Sequence, residues 1–266
     1  MLTNHAIKSL YPLALAEGEG VGTAYEYVAK RHVLRRWLGQ VRSQLPRNLP
    51  GRVLIAGLPE IYGTSLDYLL LAAELGWPAL VVDDRPAFLA KTEQAAAAAQ
   101  AQTPNLLAGL QLQFQQVDDV AHLAGVDGPF GLAICNEVLQ RFPAGERPTY
   151  VQRLSQLAPI VTLFAPNAGN AAHTNLSGLA GLHLPEMQTL LAGAGGQNRA
   201  SGYCDMPPFP PGTTRSESQR AQASSGRVEA LAMWGLGWYA RGERWFPAGL
   251  RRRQAHIVYG LMASSR

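Results

Sequence analysis

Residues 52–83 read RVLIAGLPEIYGTSLDYLLLAAELGWPALVVD, and this stretch decides the fold. Arg52 to Gly57 is a short apolar run of the kind that forms a buried strand. Thr64 to Leu75 has the composition of a helix, and Ala79 to Asp83 is a second short apolar run. A strand, a helix and a strand in succession predict a parallel pair joined by a crossover helix.

The helix in this unit carries signals at both of its ends. Thr64 and Asp67 have the spacing of a capping box, in which each side chain bonds the other's backbone. Gly76 follows the last apolar residue and is expected to stop the helix.

The same alternation continues for about another hundred residues. We expect strands at Leu110–Val117, Phe130–Cys135 and Ile160–Ala165, and helices at Pro86–Gln102, Arg147–Leu157 and Pro185–Ala194. Strands that alternate with helices in this way predict a parallel sheet covered on both faces, which is the doubly wound α/β class.

The flanks of this core differ from it. Thr23 to about Leu45 has the three- and four-residue apolar spacing of an amphipathic helix. Asp205–Gly212 is too rich in proline for a central strand. Val228–Tyr239 is expected to be helical, and Ala255–Met262 is expected to join the edge of the sheet as the last strand.

Composition restricts the class of protein. Hydrophobic residues make up 47% of the chain and charged residues 16%, as in a globular protein. No apolar run is long enough to span a membrane, we expect no cleaved signal peptide from the short run Leu10–Ala16, and the two cysteines cannot form a disulfide framework. We therefore expect a cytoplasmic protein with no membrane partner and no metal site.

The net charge of +4 is modest but unevenly distributed. One basic cluster is Lys30, Arg31, Arg35 and Arg36, and a second runs through Arg241, Arg244 and Arg251–Arg253. We interpret the first as the solvated face of a helix, and we do not expect nucleic acid as a partner, since no aromatic residues alternate with the arginines.

Polar residues follow the predicted strands at the edge where a doubly wound sheet binds its ligands. The turn after the first strand holds Gly57, where the chain turns sharply. Asp83 with Asp84 ends the second strand, Asp118 with Asp119 follows the third, and Asn136 with Glu137 follows the fourth. Each has an ordinary alternative, such as a helix cap for Asp83, but their order favours one binding crevice.

At these positions the sequence resembles the class I S-adenosylmethionine-dependent methyltransferases, over roughly Arg52 to Gly196. The stretches that carry the resemblance are Asp83–Leu89, Phe114–Asp118, Phe130–Leu132, Asn136–Leu139 and Leu182–Gly195. The resemblance implies a seven-stranded, mostly parallel, Rossmann-like methyltransferase sheet with an antiparallel edge strand near the C-terminus. It also implies S-adenosylmethionine as cofactor, with Asp83 at the ribose and Asp118 at the adenine.

The first motif departs from the family pattern. Ile55 stands where the family has an acidic residue, and Pro59 and Ile61 replace two of three alternating glycines. Gly63 comes two residues later, so the loop is expected to be longer. Glu60 or the hydroxyl of Tyr62 is a candidate to replace the missing carboxylate.

The domain organisation that follows is a helical lead-in or lid at 1–50 and a methyltransferase-like α/β domain at 51–266. A proline-rich loop and helical insertion at about 205–250 precede the last strand. Tyr25 and Tyr27 are candidates to cover the site from the lead-in. We expect the tryptophans at 234, 238 and 245 to belong to the core, although they could line an acceptor pocket.

The function implied by the resemblance is methyl transfer to a small-molecule acceptor that the sequence does not identify. His173 and Glu137 are candidates for a general base, whereas His256 is expected to lie in the core of the last strand. Two alternatives remain open: a non-catalytic binding or assembly protein with this fold, and a nicotinamide-dependent oxidoreductase. The missing Gly-x-Gly-x-x-Gly turn argues against the oxidoreductase.

Overall fold

The computed structural model describes residues 7–41, 51–61, 63–195, 197–208 and 227–264. A seven-stranded sheet in the order β3-β2-β1-β4-β5-β7-β6 forms its centre. The strands are β1 (Val53–Ala56), β2 (Ala79–Asp83), β3 (Leu112–Gln116), β4 (Leu132–Asn136), β5 (Ile160–Pro166), β6 (Gln197–Cys204) and β7 (Ile257–Ala263). Strands β1 to β5 pair in parallel, and β7 runs antiparallel to both β5 and β6.

Helices cover both faces of the sheet. They are α1 (Ile7–Ala16), α2 (Val21–Val41), α3 (Leu66–Leu75), α4 (Pro86–Gln102), α5 (Arg147–Leu157), α6 (Ala171–Ser177), α7 (Leu184–Gly193), α8 (Arg227–Gly242) and α9 (Ala248–Gln254). The predicted boundaries of α4 and α5 are confirmed, whereas α1 was not located individually within the helical lead-in expected at 1–50. Among the described helices, none has both the length and the apolar character needed to cross a membrane.

Alternation along the central strands divides the apolar interior into two cores. Val53 and Ile55 of β1 face the core that contains α1, α2, α3 and α4, while Leu54 and Ala56 face the core that contains α5 and α7. All four residues are fully buried. Helices α1 and α2 therefore share one apolar core with β1, α3 and α4 and are part of the packed domain.

The antiparallel strand occupies a different place from the one predicted. It was expected at the edge of the sheet, but β7 lies one position inward, and β6 forms the edge. Strand β7 is apolar and buried along nearly its whole length, so it is suited to pairing on both sides. Strand β6, which was not located from the sequence, reads QNRASGYC and carries the polar residues typical of an edge.

The predicted capping box of α3 is wrong. Ser65 precedes the helix with a φ of 64°, and Thr64 Oγ1 donates to Glu17 Oε1 at 2.8 Å instead of capping the helix. Leu66 N donates to the same carboxylate oxygen at 3.2 Å. A carboxylate from the end of α1 therefore caps α3, an arrangement favoured by the positive end of the helix dipole. The predicted stop is confirmed, since Gly76 ends the helix with a φ of 68°.

Two expectations about burial are also wrong. Trp234, Trp238 and Trp245 are 64%, 56% and 72% exposed, so they do not belong to the core. Lys30 and Arg31 are buried, although they were expected on the solvated face of α2, whereas Arg35 and Arg36 of the same cluster are exposed. Helix α2 packs between the sheet and α8, so it is covered on more than one side.

Candidate active site

Asp83 ends β2 at the carboxyl edge of the sheet, as predicted, and its carboxylate is fully buried. Oδ1 accepts from Arg85 Nε at 2.7 Å, and Oδ2 accepts from Leu58 N at 2.7 Å and from an Arg141 guanidinium nitrogen at 3.0 Å. Although burial acts to raise the pKa of Asp83, these hydrogen bonds and the two arginines outweigh it and lower the pKa. Both oxygens of the predicted ribose acceptor are thus engaged by the protein's own donors.

The other predicted acidic residues lie along the same edge. Asp84 also accepts a bond from Arg141, on the other guanidinium nitrogen. Asp118 is exposed, and no described residue bonds its side chain, which leaves the predicted adenine acceptor free. Asp119 instead caps a turn, because it accepts from Ala121 N and His122 Nδ1, both at 2.7 Å. The structure therefore separates the roles of the two adjacent aspartates.

The loop after β1 is held by close packing. Gly57 has a φ of 85°, and a Cβ at this position would lie 2.8 and 2.9 Å from the two methyl carbons of Val138. Gly63 has a φ of 70° and lies against the Tyr27 hydroxyl. Glu60 is exposed and accepts from Gln140 Nε2 at 3.2 Å, while Tyr62 lies outside the described residues. Glycine is required at both positions because the backbone φ is positive and neighbouring side chains leave no room for a Cβ. These neighbours belong to the protein itself, so the requirement for glycine is not evidence of a ligand.

A buried network centred on Lys30 lies beyond the end of β4. The Lys30 ammonium contacts Glu26 at 2.5 Å, Asn136 Oδ1 at 3.1 Å and Asp67 at 3.8 Å. Asn136, predicted as a site residue, also accepts from the Tyr68 hydroxyl at 3.2 Å. Helix α2 thus places the Lys30 ammonium beside Asn136 at the end of β4, where the sequence predicts the binding site.

Carboxyl groups outnumber cations around this ammonium. Glu26, Asp67 and Glu137 surround Lys30, whereas the neighbouring Arg31 pairs with Glu74 at 2.6 Å. Burial raises the pKa of all three carboxyl groups despite the attraction of Lys30. Neither oxygen of Asp67, nor Oε1 of Glu137, has a hydrogen-bond partner among the described residues. Such buried, unbonded oxygens are costly unless another donor satisfies them.

Glu137 has an unusual backbone as well. Its φ of 54° is in the left-handed region, which is uncommon for a residue other than glycine. Its N–H donates to Phe164 O at 2.8 Å, which fixes the chain as it leaves β4. Burial, and then Glu26, raise the pKa of Glu137.

A pair of stacked histidines lies beyond the ends of β5 and β6. His173 is in the first turn of α6, and its ring stacks on that of His256 with centroids 4.1 Å apart. His256 Nδ1 contacts Asp205 Oδ2 at 3.0 Å, and the attraction of Asp205 outweighs burial and raises the pKa of His256. Burial, and then His256, lower the pKa of His173 to about 4, so His173 is neutral at pH 7.

The sequence prediction for His256 is therefore corrected, because this residue precedes β7 and contacts Asp205 outside the core of the strand. Asp205 itself was not identified as a functional candidate. It stands between a polar edge strand and a proline-rich segment, where no periodicity marks it. Within the described ranges, no group of three or more histidine, cysteine or carboxylate residues has the arrangement of a metal site.

The predicted lid tyrosines are both buried in polar contacts. Tyr25 donates to Glu243 and Tyr27 donates to Glu17 through short hydrogen bonds. Burial, the largest influence in each case, raises the pKa of both Glu17 and Glu243 to about 7. The Tyr27 bond joins α2 to the end of α1, and the Tyr25 bond joins α2 to the region after α8.

The sheet order differs from the 3-2-1-4-5-6 order of dinucleotide-binding folds, because an antiparallel β7 is inserted between β5 and β6. The sequence matches no protein-family model and no curated protein sequence. It is similar in structure to magnesium protoporphyrin IX methyltransferase from Synechocystis PCC 6803 with bound SAH. The two are 16% identical with a TM-score of 0.50, over 90% of this chain and 84% of the other.

A second similar structure is a SAM-dependent methyltransferase from Archaeoglobus fulgidus. It is 10% identical, with a TM-score of 0.49, over 88% of this chain and 94% of that chain. At such identities the likeness concerns the fold. The likeness to the Synechocystis structure and the observed order of the sheet together give this chain the Rossmann-like methyltransferase fold that its sequence resembles.

Proposed function

We propose that the protein binds S-adenosylmethionine at the carboxyl ends of β1, β2 and β4 and transfers its methyl group to a small-molecule acceptor. Two things support this proposal: the fold, and the polar residues at successive strand ends, which lie at the sheet edge where such folds bind ligands. Bound S-adenosylmethionine supplies an electrophilic methyl group on a positively charged sulfur.

The observation that carries the proposal is the excess of buried carboxyl groups beyond β4. Among the described residues, oxygen atoms of Asp67 and Glu137 have no donor, and the Lys30 ammonium is a buried cation that lies among them. S-adenosylmethionine carries two cationic groups, an ammonium and a sulfonium. A cationic ligand would favour the charged form of these carboxyl groups and so offset the cost of their burial.

The chain's own residues would then have distinct tasks. Asp118 is open to accept from an adenine amino group. Asp83 can accept from ribose only if one of its arginine bonds is given up. For an acceptor that must lose a proton, His173 is a candidate base that is neutral at pH 7, whereas burial raises the pKa of Glu137. Positioning alone suffices for an acceptor that is already nucleophilic.

Calorimetry with S-adenosylhomocysteine and S-adenosylmethionine tests the proposal directly. Wild-type protein should bind both, and Asp67→Asn should bind S-adenosylmethionine at least about tenfold more weakly, since a buried carboxylate no longer faces the cation. Asp83→Ala should also weaken both ligands. Asp127→Asn, which removes an exposed carboxylate elsewhere, is the matched control and should leave affinity unchanged.

One observation favours a second function, a binding or assembly protein that keeps this fold without catalysis. Both oxygens of Asp83 are engaged by Arg85, Arg141 and Leu58 N, so the ribose acceptor is occupied by internal contacts. Pro59 also removes an amide donor from the loop after β1. Wild-type protein that binds neither ligand, while Arg141→Gln also fails to bind, would support this alternative over methyl transfer.

A further inference from the structure

A cleft of about 640 Å³ opens between the second half of α2, strands β6 and β7, and the region after α8. Its most distinctive feature is its charge, because it is lined by five arginines: Arg35, Arg36, Arg241, Arg244 and Arg251. They belong to the two basic clusters of the sequence, which lie some 200 residues apart. The fold thus brings arginines of the two basic clusters together in one concave site, which we call the arginine cleft.

The charge of the arginine cleft is not balanced by acidic side chains in the described part of the chain. None of its five arginines forms an ion pair with a described carboxylate. Glu243 is the acidic residue in the lining, but its oxygens accept from Tyr25 and from the backbone N–H groups of Asp205 and Met206. Uncompensated guanidinium groups in a concave site attract anions.

His32, which also lines the cleft, responds to this charge. Burial, followed by Arg241 and Arg35, lowers the pKa of His32 to about 4. Its Nε2 is buried and has no hydrogen-bond partner among the described residues. The neutral imidazole adds no positive charge at pH 7 and offers one more polar atom to a ligand.

Several of the arginines are held in place before any ligand binds. Arg241 lies over the Trp238 ring at 5.1 Å and Arg244 over the Trp245 ring at 4.6 Å. Arg251 Nε donates to Phe246 O at 3.2 Å, which leaves its terminal nitrogens available. A planar guanidinium that is already positioned binds carboxylate or phosphate with two parallel hydrogen bonds at a smaller entropic cost.

The arginine cleft adjoins the candidate active site. Cys204, at the carboxyl end of β6, and Glu243 both line it, and Glu243 bonds Tyr25 of α2. Lys30 and Glu26, from the same stretch of α2, belong to the network beyond β4. The cleft therefore reaches the carboxyl end of β6 and shares helix α2 with the network beyond β4.

We propose that the arginine cleft binds a small molecule through its carboxylate or phosphate groups. That this molecule is the methyl acceptor rests on the function proposed above. A volume of about 640 Å³ suits a small ligand, and the arginines converge in a concavity rather than forming an extended track for a nucleic-acid backbone. The acceptor class is thus an anionic metabolite whose reactive atom lies away from its charged end.

Isothermal titration calorimetry at low ionic strength tests the cleft with citrate as the carboxylate probe and pyrophosphate as the phosphate probe. Wild-type protein should bind at least one probe, and Arg36→Gln/Arg241→Gln should weaken it by about tenfold or more. The control is Arg252→Gln/Arg253→Gln, which removes the same charge from exposed arginines that do not line the cleft. Its affinity should stay within about twofold of wild type.

A second readout guards against a variant that has lost its fold. Thermal melting should show the same transition for both double variants, and anion binding to wild type should raise the pKa of His32 in an NMR titration because it offsets the arginines. Failure of both probes to bind wild type, or equal weakening in the two double variants, overturns the proposal. Tighter binding of a single-stranded oligonucleotide, lost in the cleft variant, overturns the small-molecule assignment.

The same titrations with S-adenosylhomocysteine separate this proposal from the proposed function. Anion binding that is lost in the cleft variant supports the cleft whether or not S-adenosylhomocysteine binds. Absence of S-adenosylhomocysteine binding overturns the methyl-acceptor role and methyl transfer together, but it leaves the anion site established.

Discussion

Replacing the buried Lys30 by methionine removes the cation that compensates the carboxyl groups beyond β4. Methionine keeps an unbranched apolar stem of similar length, so the change mainly deletes charge and hydrogen bonds. The ammonium that is lost contacts Glu26 at 2.5 Å, Asn136 at 3.1 Å and Asp67 at 3.8 Å. Its partners Asp67 and Asn136 remain buried and lose that donor.

The expected loss follows from that burial. Both side chains of the Lys30–Asp67 pair are 0% exposed, so the pair belongs to the class in which removal of one partner costs about 3–5 kcal/mol. At about 2–4 °C per kcal/mol, the melting temperature should fall by roughly 6–20 °C. The loss should shrink as the pH falls, because protonation then neutralises the carboxyl groups that Lys30 no longer compensates.

Urea unfolding followed by circular dichroism measures this loss at pH 5 and pH 8. Lys91→Met on the exposed face of α4 is the matched control and should change the free energy of unfolding by less than about 0.5 kcal/mol. Adding Asp67→Asn to Lys30→Met should restore part of the stability. A loss below about 1 kcal/mol for Lys30→Met at pH 8 would refute the inference that its ammonium holds this network together.

Three further predictions concern other parts of the site. The pKa of Glu17 is about 7 in the folded protein against an ordinary 4.5, so folding binds a proton between these pH values, and the free energy of unfolding should fall by about 3 kcal/mol as the pH rises through them. Urea unfolding at several pH values measures this decline, and Glu17→Gln should flatten it. An unchanged slope in the variant contradicts the assignment. Gly57→Ala should lower the free energy of unfolding by about 2–4 kcal/mol, because alanine is strained in the left-handed backbone region and its Cβ would contact Val138. In a double-mutant cycle, the loss should be smaller when Val138 is also replaced by alanine. Asp205→Asn should lower the pKa of His256 in an NMR titration, whereas a pKa that does not move means that another group raises it.

The alternation of strands and helices from Arg52 to Leu163 could be predicted because it depends on local sequence. Short apolar runs, Pro86 at a helix start and Gly76 at a helix end act within a few neighbouring residues. Strand β6 was missed for the opposite reason. An edge strand is stabilised by pairing with β7, and its own sequence has no apolar pattern.

In the candidate site too, some features could be predicted from the sequence and others could not. Asp83, Asp118 and Asn136 could be located because a residue at the end of a parallel strand must lie at the carboxyl edge of the sheet. Their hydrogen-bond partners could not be predicted. Arg141 reaches Asp83 from beyond β4, and Glu17 reaches Leu66 from the end of α1, through contacts that join distant parts of the chain.

The sequence by itself determined the order of the elements and the edge of the sheet at which polar side chains gather, because periodicity and helix signals are properties of neighbouring residues. Only the tertiary structure decided which charges face one another. Lys30 and Arg36 lie six residues apart on one helix, yet packing buries the first among carboxyl groups and leaves the second beside Arg241 in a cleft. Burial changes the free energy of a charge far more than sequence position does, and burial depends on the whole fold.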